Sequence, residues 1–254
     1  MRVVRNTGYV KGRQRAGRMM VGLGLLLIGG FWFVNLFGSS SLVPVSLAAI
    51  VIGFVLFYGG LQQLARWSRK PGNDQVLDAA LARLNDRYTL IHYADFPGKR
   101  AEHVLITPGK LLVLTTREMT GRVRIHGRSW RRPNAFLFGF MRLAGPQLGN
   151  PTVDNELQIE SLRKVLEDEQ LPGEIEGAIV FVDPRVNLEI DDPTMPVLLP
   201  GELYDFVRDV SDPVALGNRE REQLADQLPR GQFLERSATT PSAPRPKKKR
   251  VRAA

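Results

Sequence analysis

The sequence predicts an α/β domain that follows an N-terminal transmembrane helical hairpin. Two apolar runs lie within residues 19–64, and helical patterns alternate with short β patterns between residues 71 and 210. The net charge of +9 separates into +9 for residues 1–70, −6 for residues 71–236 and +6 for residues 237–254. The folded part is therefore acidic, which argues against a uniformly basic nucleic-acid-binding globule. Because the chain has no cysteine, a disulfide framework, a thiolate zinc site and a cysteine nucleophile are excluded.

The two apolar runs cover residues 19–37 and 42–61, and their only polar interruptions are Asn35 and Ser46. At a rise of about 1.5 Å per residue, each run spans the roughly 30 Å hydrocarbon layer of a bilayer. A buried core helix is rarely apolar on every side over this length. A cleaved signal peptide is not followed at once by a second apolar span. A helical hairpin in a membrane is therefore predicted.

Basic residues flank the hairpin on one side. Six precede the first run, three follow the second, and the connecting residues 38–41 contain none. By the positive-inside rule both termini are expected in the cytoplasm, with the protein integral to the cell or inner membrane. Trp67 stands where an interfacial anchor is expected, and residues 1–18 form a basic cytoplasmic segment.

The remaining chain is expected to form one domain over residues 71–210. Its patterns predict helices over residues 74–84, 154–166 and 201–210. They predict strands over residues 88–93, 102–107, 111–116, 122–126, 129–132, 177–183 and 196–199. Residues 211–236 are expected to form a charged helical appendage. Residues 237–254 are rich in Pro, Ser and Lys and are expected to be a disordered basic tail.

The order and spacing of several short segments resemble the nuclease-related domain (NERD) family over roughly residues 72–210. These landmarks are Gly-Asn-Asp-Gln-Val at 72–76, Glu-His-Val-Leu-Ile at 102–106, Thr-Thr-Arg at 115–117, Gly-Arg-Val at 121–123 and the Gly-Arg-Ser-Trp stretch at 127–130. The resemblance implies a restriction-endonuclease-like mixed-sheet domain.

The resemblance also implies a metal-dependent cleavage site that this chain has altered. A typical member has an acid before His-Val, a Glu-x-Lys pair at the end of the next strand and a Glu at the start of the first helix, which together serve Mg²⁺-dependent cleavage. Here every position departs from the pattern: Glu102 replaces an Asp and keeps its charge, Thr115 replaces the Glu, Arg117 replaces the Lys and Asn73 takes the early position. Glu102, Thr115 and Arg117 are therefore degenerate catalytic positions, and no cofactor is expected. The alternative is an active nuclease that binds Mg²⁺ through Glu102 and Asp74, or recruits Asp183.

Structural roles compete with functional ones at several of these positions. Glu102 is expected to need a charged partner in an apolar strand, and Arg117 is the natural one. His103 is expected to be structural and His126 solvated, while Trp130 is expected to pack within the core or hairpin.

Basic clusters supply candidate phosphate contacts, to nucleic acid or to anionic lipid. One lies on the predicted hairpin, at Arg122, Arg124, Arg128, Arg131 and Arg132. Its alternative is a solvated basic face. Directly after it, the apolar residues 136–141 are expected to cover the core edge or rest on the membrane.

The second cluster is Lys247, Lys248, Lys249 and Arg250 in the tail. It looks like a nuclear-import signal, but two transmembrane helices argue against a soluble nuclear protein. Contact with anionic lipid is preferred, with nucleic acid second.

Together these patterns predict a membrane-anchored cytoplasmic protein whose nuclease-related domain binds or scaffolds, with nucleic acid as a candidate partner, rather than cleaving. The rival is the Mg²⁺-dependent nuclease. A third interpretation is a structural membrane protein whose domain binds an unidentified protein.

Overall fold

The computed structural model describes residues 1–38, 40–133, 148–231 and 234–238. Its two longest helices are α1 (Thr7–Phe37) and α2 (Val43–Trp67), which a short 3₁₀ turn at Ser40–Leu42 connects. Both are long and apolar enough to cross a membrane. Large apolar side chains such as Leu26 and Phe33 point outward from the hairpin, as lipid-facing residues do.

Glycines bring the backbones of α1 and α2 into contact. A Cβ atom on Gly24 would lie 2.5 Å from the backbone nitrogen of Phe57, and one on Gly60 would lie 2.7 Å from that of Val21. Because glycine has no side chain, the two helices can approach closely at these positions, as is common for helices that pack in membranes.

Within the described residues, the domain has ten strands and four further helices. The strands are β1 (Arg2–Asn6), β2 (Thr89–His92), β3 (His103–Ile106), β4 (Leu111–Arg117), β5 (Gly121–Gly127), β6 (Ser129–Arg131), β7 (Ile175–Phe181), β8 (Val186–Pro193), β9 (Val197–Leu198) and β10 (Leu234–Ala238). The helices are α3 (Asn73–Ala80), α4 (Pro151–Asp168), α5 (Leu203–Val210) and α6 (Asn218–Gln227).

Seven strands form a mixed sheet in the order β10-β1-β2-β3-β4-β7-β9, and β6, β5 and β8 form a second, small sheet. In the large sheet β2, β3 and β4 are antiparallel neighbours, whereas β1 runs parallel to β2 and β7 runs parallel to β4. The expected mixed-sheet α/β domain behind two long apolar helices is confirmed.

Alternate residues of the central strands fill two cores on opposite faces of the large sheet. Val104 and Val113 pack with Leu162 of α4 on one face. Leu105 and Leu112 pack with Leu77 of α3 on the other. With both faces covered, β4 and most of β7 are buried, which explains their near-continuous apolar sequences.

Three strands differ from the sequence-based expectation. β1 lies in the segment expected to be a basic terminus, β8 was not expected, and β10 lies at the join between the expected helical appendage and disordered tail. Each of β1 and β10 has too few apolar residues to show a period of two, and β1 gains its place by pairing with both β2 and β10. The helix of the appendage exists as α6, but Leu224 is fully buried, so it packs on the core rather than hanging from it. Residues 136–141 and 239–254 lie outside the described residues.

Candidate functional site

A cavity of about 770 Å³ lies where the base of the hairpin meets the edge of the large sheet. Its walls come from the ends of α1 and α2 that lie nearest the domain, the residues just before β3, the end of β4 and the start of α4. Glu102, Thr116, Arg117 and Asp154 line the side nearest the sheet. The cavity therefore contains three of the four positions that the resemblance implies, namely Asn73, Glu102 and Arg117.

Glu102 is held by four groups from two elements, β4 and α2. Its carboxylate accepts hydrogen bonds from the backbone nitrogen of Thr116 at 2.9 Å, from the Thr116 hydroxyl at 3.0 Å and from Nη2 of Arg66 at 2.8 Å. Nη1 of Arg117 lies 3.8 Å away, which confirms the expected Glu102–Arg117 ion pair. The closer partner is Arg66 at the end of α2, so the hairpin itself supplies charge to this site.

Thr115 points away from the cavity toward α4. It is fully buried, and its hydroxyl accepts hydrogen bonds from Asn155 Nδ2 and Gln158 Nε2, each at 3.0 Å. Both acceptor positions of the oxygen are thus occupied. The neutral hydroxyl stabilises the packing of α4 on the sheet and adds no negative charge to the site.

Arg117 is fixed in the place of the family's lysine. Its side chain is 9% exposed and forms an ion pair with Asp154 through Nη2. Nε donates to the carbonyl of Leu148 at 3.2 Å, and Nη1 donates to the carbonyl of Thr116 at 2.8 Å. A guanidinium stays protonated at any physiological pH, so Arg117 does not act as a base.

The other acids named as candidates are also engaged by cations. Asp74 lies 2.6 Å from Nε of Arg5. Asp183 is bound by Arg185 at 2.8 Å and Arg69 at 3.2 Å, and the hydrogen bonds from Arg185 hold the pKa of Asp183 far below its usual range. In place of the early Glu, Asn73 donates to the Thr116 hydroxyl at 3.1 Å.

These residues do not fit the Mg²⁺ that the family implies. In the described ranges, no three His, Cys, Asp or Glu side chains are arranged to hold a metal ion. A divalent cation at Glu102 would also lie beside the guanidinium groups of Arg66 and Arg117. Mg²⁺ requires oxygen ligands that carry surplus negative charge. In this site the negative charge of the carboxylates is instead neutralised by arginines.

Behind Glu102 a buried polar chain crosses three strands, and sequence reasoning missed its second histidine. His92 Nδ1 lies 2.7 Å from His103 Nδ1, and His92 Nε2 lies 3.0 Å from the carboxylate of Asp78. Because a carboxylate accepts, His92 carries its proton on Nε2 and His103 donates from Nδ1. Burial, with smaller effects from His92 and nearby arginines, holds the pKa of His103 well below its usual range. The structural role expected of His103 is confirmed.

Further residues of the site were missed because they lie far from the motif in sequence. Asn155 and Gln158 continue the buried face of α4 that Leu162 and Val165 define, so their three- and four-residue spacing was the available signal. Leu157 of the same helix is 43% exposed. Glu118 lies near Arg69 at 3.6 Å, and burial raises the pKa of Glu118.

The arginines of the small sheet are largely paired. Arg122 and Arg124 lie 3.0 and 2.8 Å from the carboxylate of Glu189, and Arg128 forms an ion pair with Glu156. Arg132 donates to the carbonyl of Thr120, and Arg131 is exposed. These arginines therefore remain candidates for phosphate contacts with much of their charge balanced. The tail residues Lys247, Lys248, Lys249 and Arg250 lie outside the described residues.

His126 and Trp130 lie in the surroundings expected of them, the first in solvent and the second packed against the core. His126 is 75% exposed beside Asp191. Trp130 stacks on Phe181 with ring centroids 6.0 Å apart and donates from Nε1 to the Thr152 hydroxyl at 2.9 Å.

Residues 68–182 match the family described as the nuclease-related domain. Comparison with curated proteins and with solved structures gives no significant match. The matched range runs from the end of α2 to the end of β7, so it contains Glu102, Thr115 and Arg117. The chain is thus a membrane-associated protein that carries a nuclease-related domain of the NERD family.

Proposed function

We propose that this protein is anchored in the cell or inner membrane, with both termini in the cytoplasm, and that its nuclease-related domain binds or scaffolds rather than cleaves. Nucleic acid is the first candidate partner. The observation that carries the proposal is the side chain of Arg117, which stands in the lysine's place and is bound by Asp154 and close to Glu102.

Electrostatics supports the absence of cleavage. For Mg²⁺ to reach Glu102, its ion pairs to Arg66 and Arg117 would have to separate, and Arg117, which is 9% exposed, would lose part of its charge compensation. Thr115 has no carboxylate to offer a metal ion, and its hydroxyl is already hydrogen-bonded to two side-chain amides. The arrangement favours a stable polar cluster over a metal centre.

A cleavage assay tests the proposal directly. The full chain, reconstituted in lipid nanodiscs, is incubated with DNA or RNA and Mg²⁺, beside the variants Glu102→Ala and Glu189→Ala. We expect no Mg²⁺-dependent cleavage by any of the three. Cleavage that disappears in Glu102→Ala and persists in Glu189→Ala would establish the rival, an active nuclease with an altered site.

Binding is measured on the same particles. We expect salt-dependent binding of nucleic acid that weakens when Arg128, Arg131 and Arg132 are all changed to Gln, because each lost phosphate contact flattens the dependence on salt. Binding that is absent, or unchanged in the triple variant, would favour the third interpretation, a domain that recognises another protein.

Topology has its own experiment. A reporter enzyme fused after Ala254 should be active in the cytoplasm, because the basic residues flank both outer ends of the hairpin. A reporter that proved extracytoplasmic would overturn the proposed orientation.

A further inference from the structure

In the proposed membrane orientation, the cavity at the base of the hairpin lies at the depth of the lipid head groups. Met20 and Gly59, at the ends of the two apolar runs, form one part of its wall, and Arg13 lies two turns of α1 closer to the domain. Seven residues of helix rise about 10 Å, which is comparable to the polar layer of a bilayer. The cavity therefore connects the membrane surface with the altered nuclease site.

The walls of the cavity carry surplus positive charge near the membrane. Arg13 donates to the Tyr9 hydroxyl at 3.0 Å and makes no ion pair with a carboxylate of the described residues. Farther in, Lys99 and Arg117 share the carboxylate of Asp154, and Arg117 also lies 3.8 Å from Glu102. The described lining has five cations, at Arg13, Arg66, Lys99, Arg100 and Arg117, against four carboxylates, so one positive charge is not balanced.

Arg13 and Arg100 of the cavity wall surround one aromatic ring, and Arg100 also forms an ion pair with Asp95. The guanidinium carbon of Arg13 lies 5.2 Å from the centroid of Tyr9, and that of Arg100 lies 3.9 Å from the same centroid. Tyr9 also meets Trp67 edge to face at 5.2 Å. Tyrosine and tryptophan are the side chains that favour the membrane–water interface, and two nearby guanidinium groups suit a phosphate oxygen pair.

We propose that this cavity binds the phosphate diester of an anionic phospholipid, which enters from the cytoplasmic leaflet. Arg13 makes the principal contact, with Arg100 and Lys99 behind it, and the acyl chains stay in the bilayer beside Met20 and Gly59. A volume of about 770 Å³ is within the range of small-ligand sites. The proposal rests on the hairpin crossing the membrane in the proposed orientation, which the reporter fusion tests separately.

Native mass spectrometry of the full chain, released from detergent with added phosphatidylglycerol or phosphatidylcholine, tests the site. We expect one phosphatidylglycerol to be retained in preference to phosphatidylcholine, and Arg13→Gln to weaken its binding at least about tenfold, since a charge-assisted hydrogen bond is lost. The matched control is Arg15→Gln, which removes the same charge from an exposed position of α1 outside the cavity. It should retain the lipid as the unaltered chain does.

Three results would overturn the proposal. Equal losses in Arg13→Gln and Arg15→Gln would indicate general attraction to an anionic lipid rather than a site. Glycerol 3-phosphate or inorganic phosphate that displaces the lipid at equal concentration would identify a site for free phosphate. Displacement of the lipid by an oligonucleotide would identify the cavity as a site for nucleic acid.

Discussion

Arginine–carboxylate pairs occur in two regions of this domain, and they differ in burial. At the altered nuclease site Arg117 is 9% exposed and meets Asp154 and Glu102. On the small sheet Arg124 is 59% exposed and meets Glu189 at 2.8 Å. Water and salt screen the second pair, whereas the first depends on its partners for all its compensation. Arginine–carboxylate pairs therefore stabilise the fold at the altered nuclease site, whereas on the small sheet they form part of the solvated surface.

The largest effect is expected when the buried pair loses its acid. Asp154→Ala leaves Arg117 with two backbone carbonyls and, as its nearest carboxylate, the more distant Glu102. We expect the free energy of unfolding to fall by about 3 kcal/mol, a value at the lower limit because Asp154 is itself partly exposed. Thermal unfolding of the full chain in detergent measures this as a decrease of roughly 6–12 °C. An unfolding temperature equal to that of the unaltered chain would show that the pair contributes nothing.

A buried and an exposed histidine extend the comparison to the pH dependence of stability. Burial holds the pKa of His103 in the folded protein below its value in the unfolded chain. As the pH falls, this histidine is therefore protonated first in the unfolded state. Stability contributed by the neutral ring is present above about pH 6.5 and is lost below it, by at most about 1.4 kcal/mol per pH unit.

Unfolding temperatures between pH 7.5 and 5.5 measure this loss. His103→Asn should flatten the dependence, whatever its effect on stability at neutral pH. His126→Asn, at an exposed ring, should leave it unchanged. Parallel curves for the unaltered chain and His103→Asn would assign the acid sensitivity to other groups.

The smallest effect is expected on the small sheet. Glu189→Ala removes the shared partner of Arg122 and Arg124, yet we expect a loss below about 1 kcal/mol, because all three side chains are exposed. High salt should make the variant and the unaltered chain indistinguishable in thermal unfolding. A loss equal to that of Asp154→Ala would mean that burial does not separate the two regions.

Those parts of the fold whose pattern is local could be predicted from the sequence. The hairpin needs only length and apolarity, and the central strands carry enough valine, leucine and isoleucine to be recognised. The hairpin of β5 and β6 was visible through its short Gly127-containing turn. The pairing of Glu102 with Arg117 followed from the cost of burying a carboxylate.

What could not be predicted depends on contacts between distant segments. Arg66 belongs to the end of a membrane helix, and nothing in its neighbourhood connects it with Glu102. Asn155 and Gln158 share the spacing of the buried face of α4, but their polarity alone does not show that Thr115 of the sheet lies beneath them. β1 becomes a strand by pairing with β2 and β10, and β10 becomes one by pairing with β1.

The position of β1 determines the order in which the domain can be completed during synthesis. Val3 and Val4 leave the ribosome before the hairpin, yet their partners Leu90 and Ile91 follow it, and the β10 partners Ser237 and Arg236 come much later. The first strand must wait beside the membrane until the later ones arrive, which is a slow, non-local pairing. A truncated chain that starts after the hairpin would lack β1, leaving β2 an unpaired edge and β10 without a neighbour. The hairpin is therefore an insertion into the domain rather than an anchor attached to it, and a soluble fragment cut at residue 71 should aggregate.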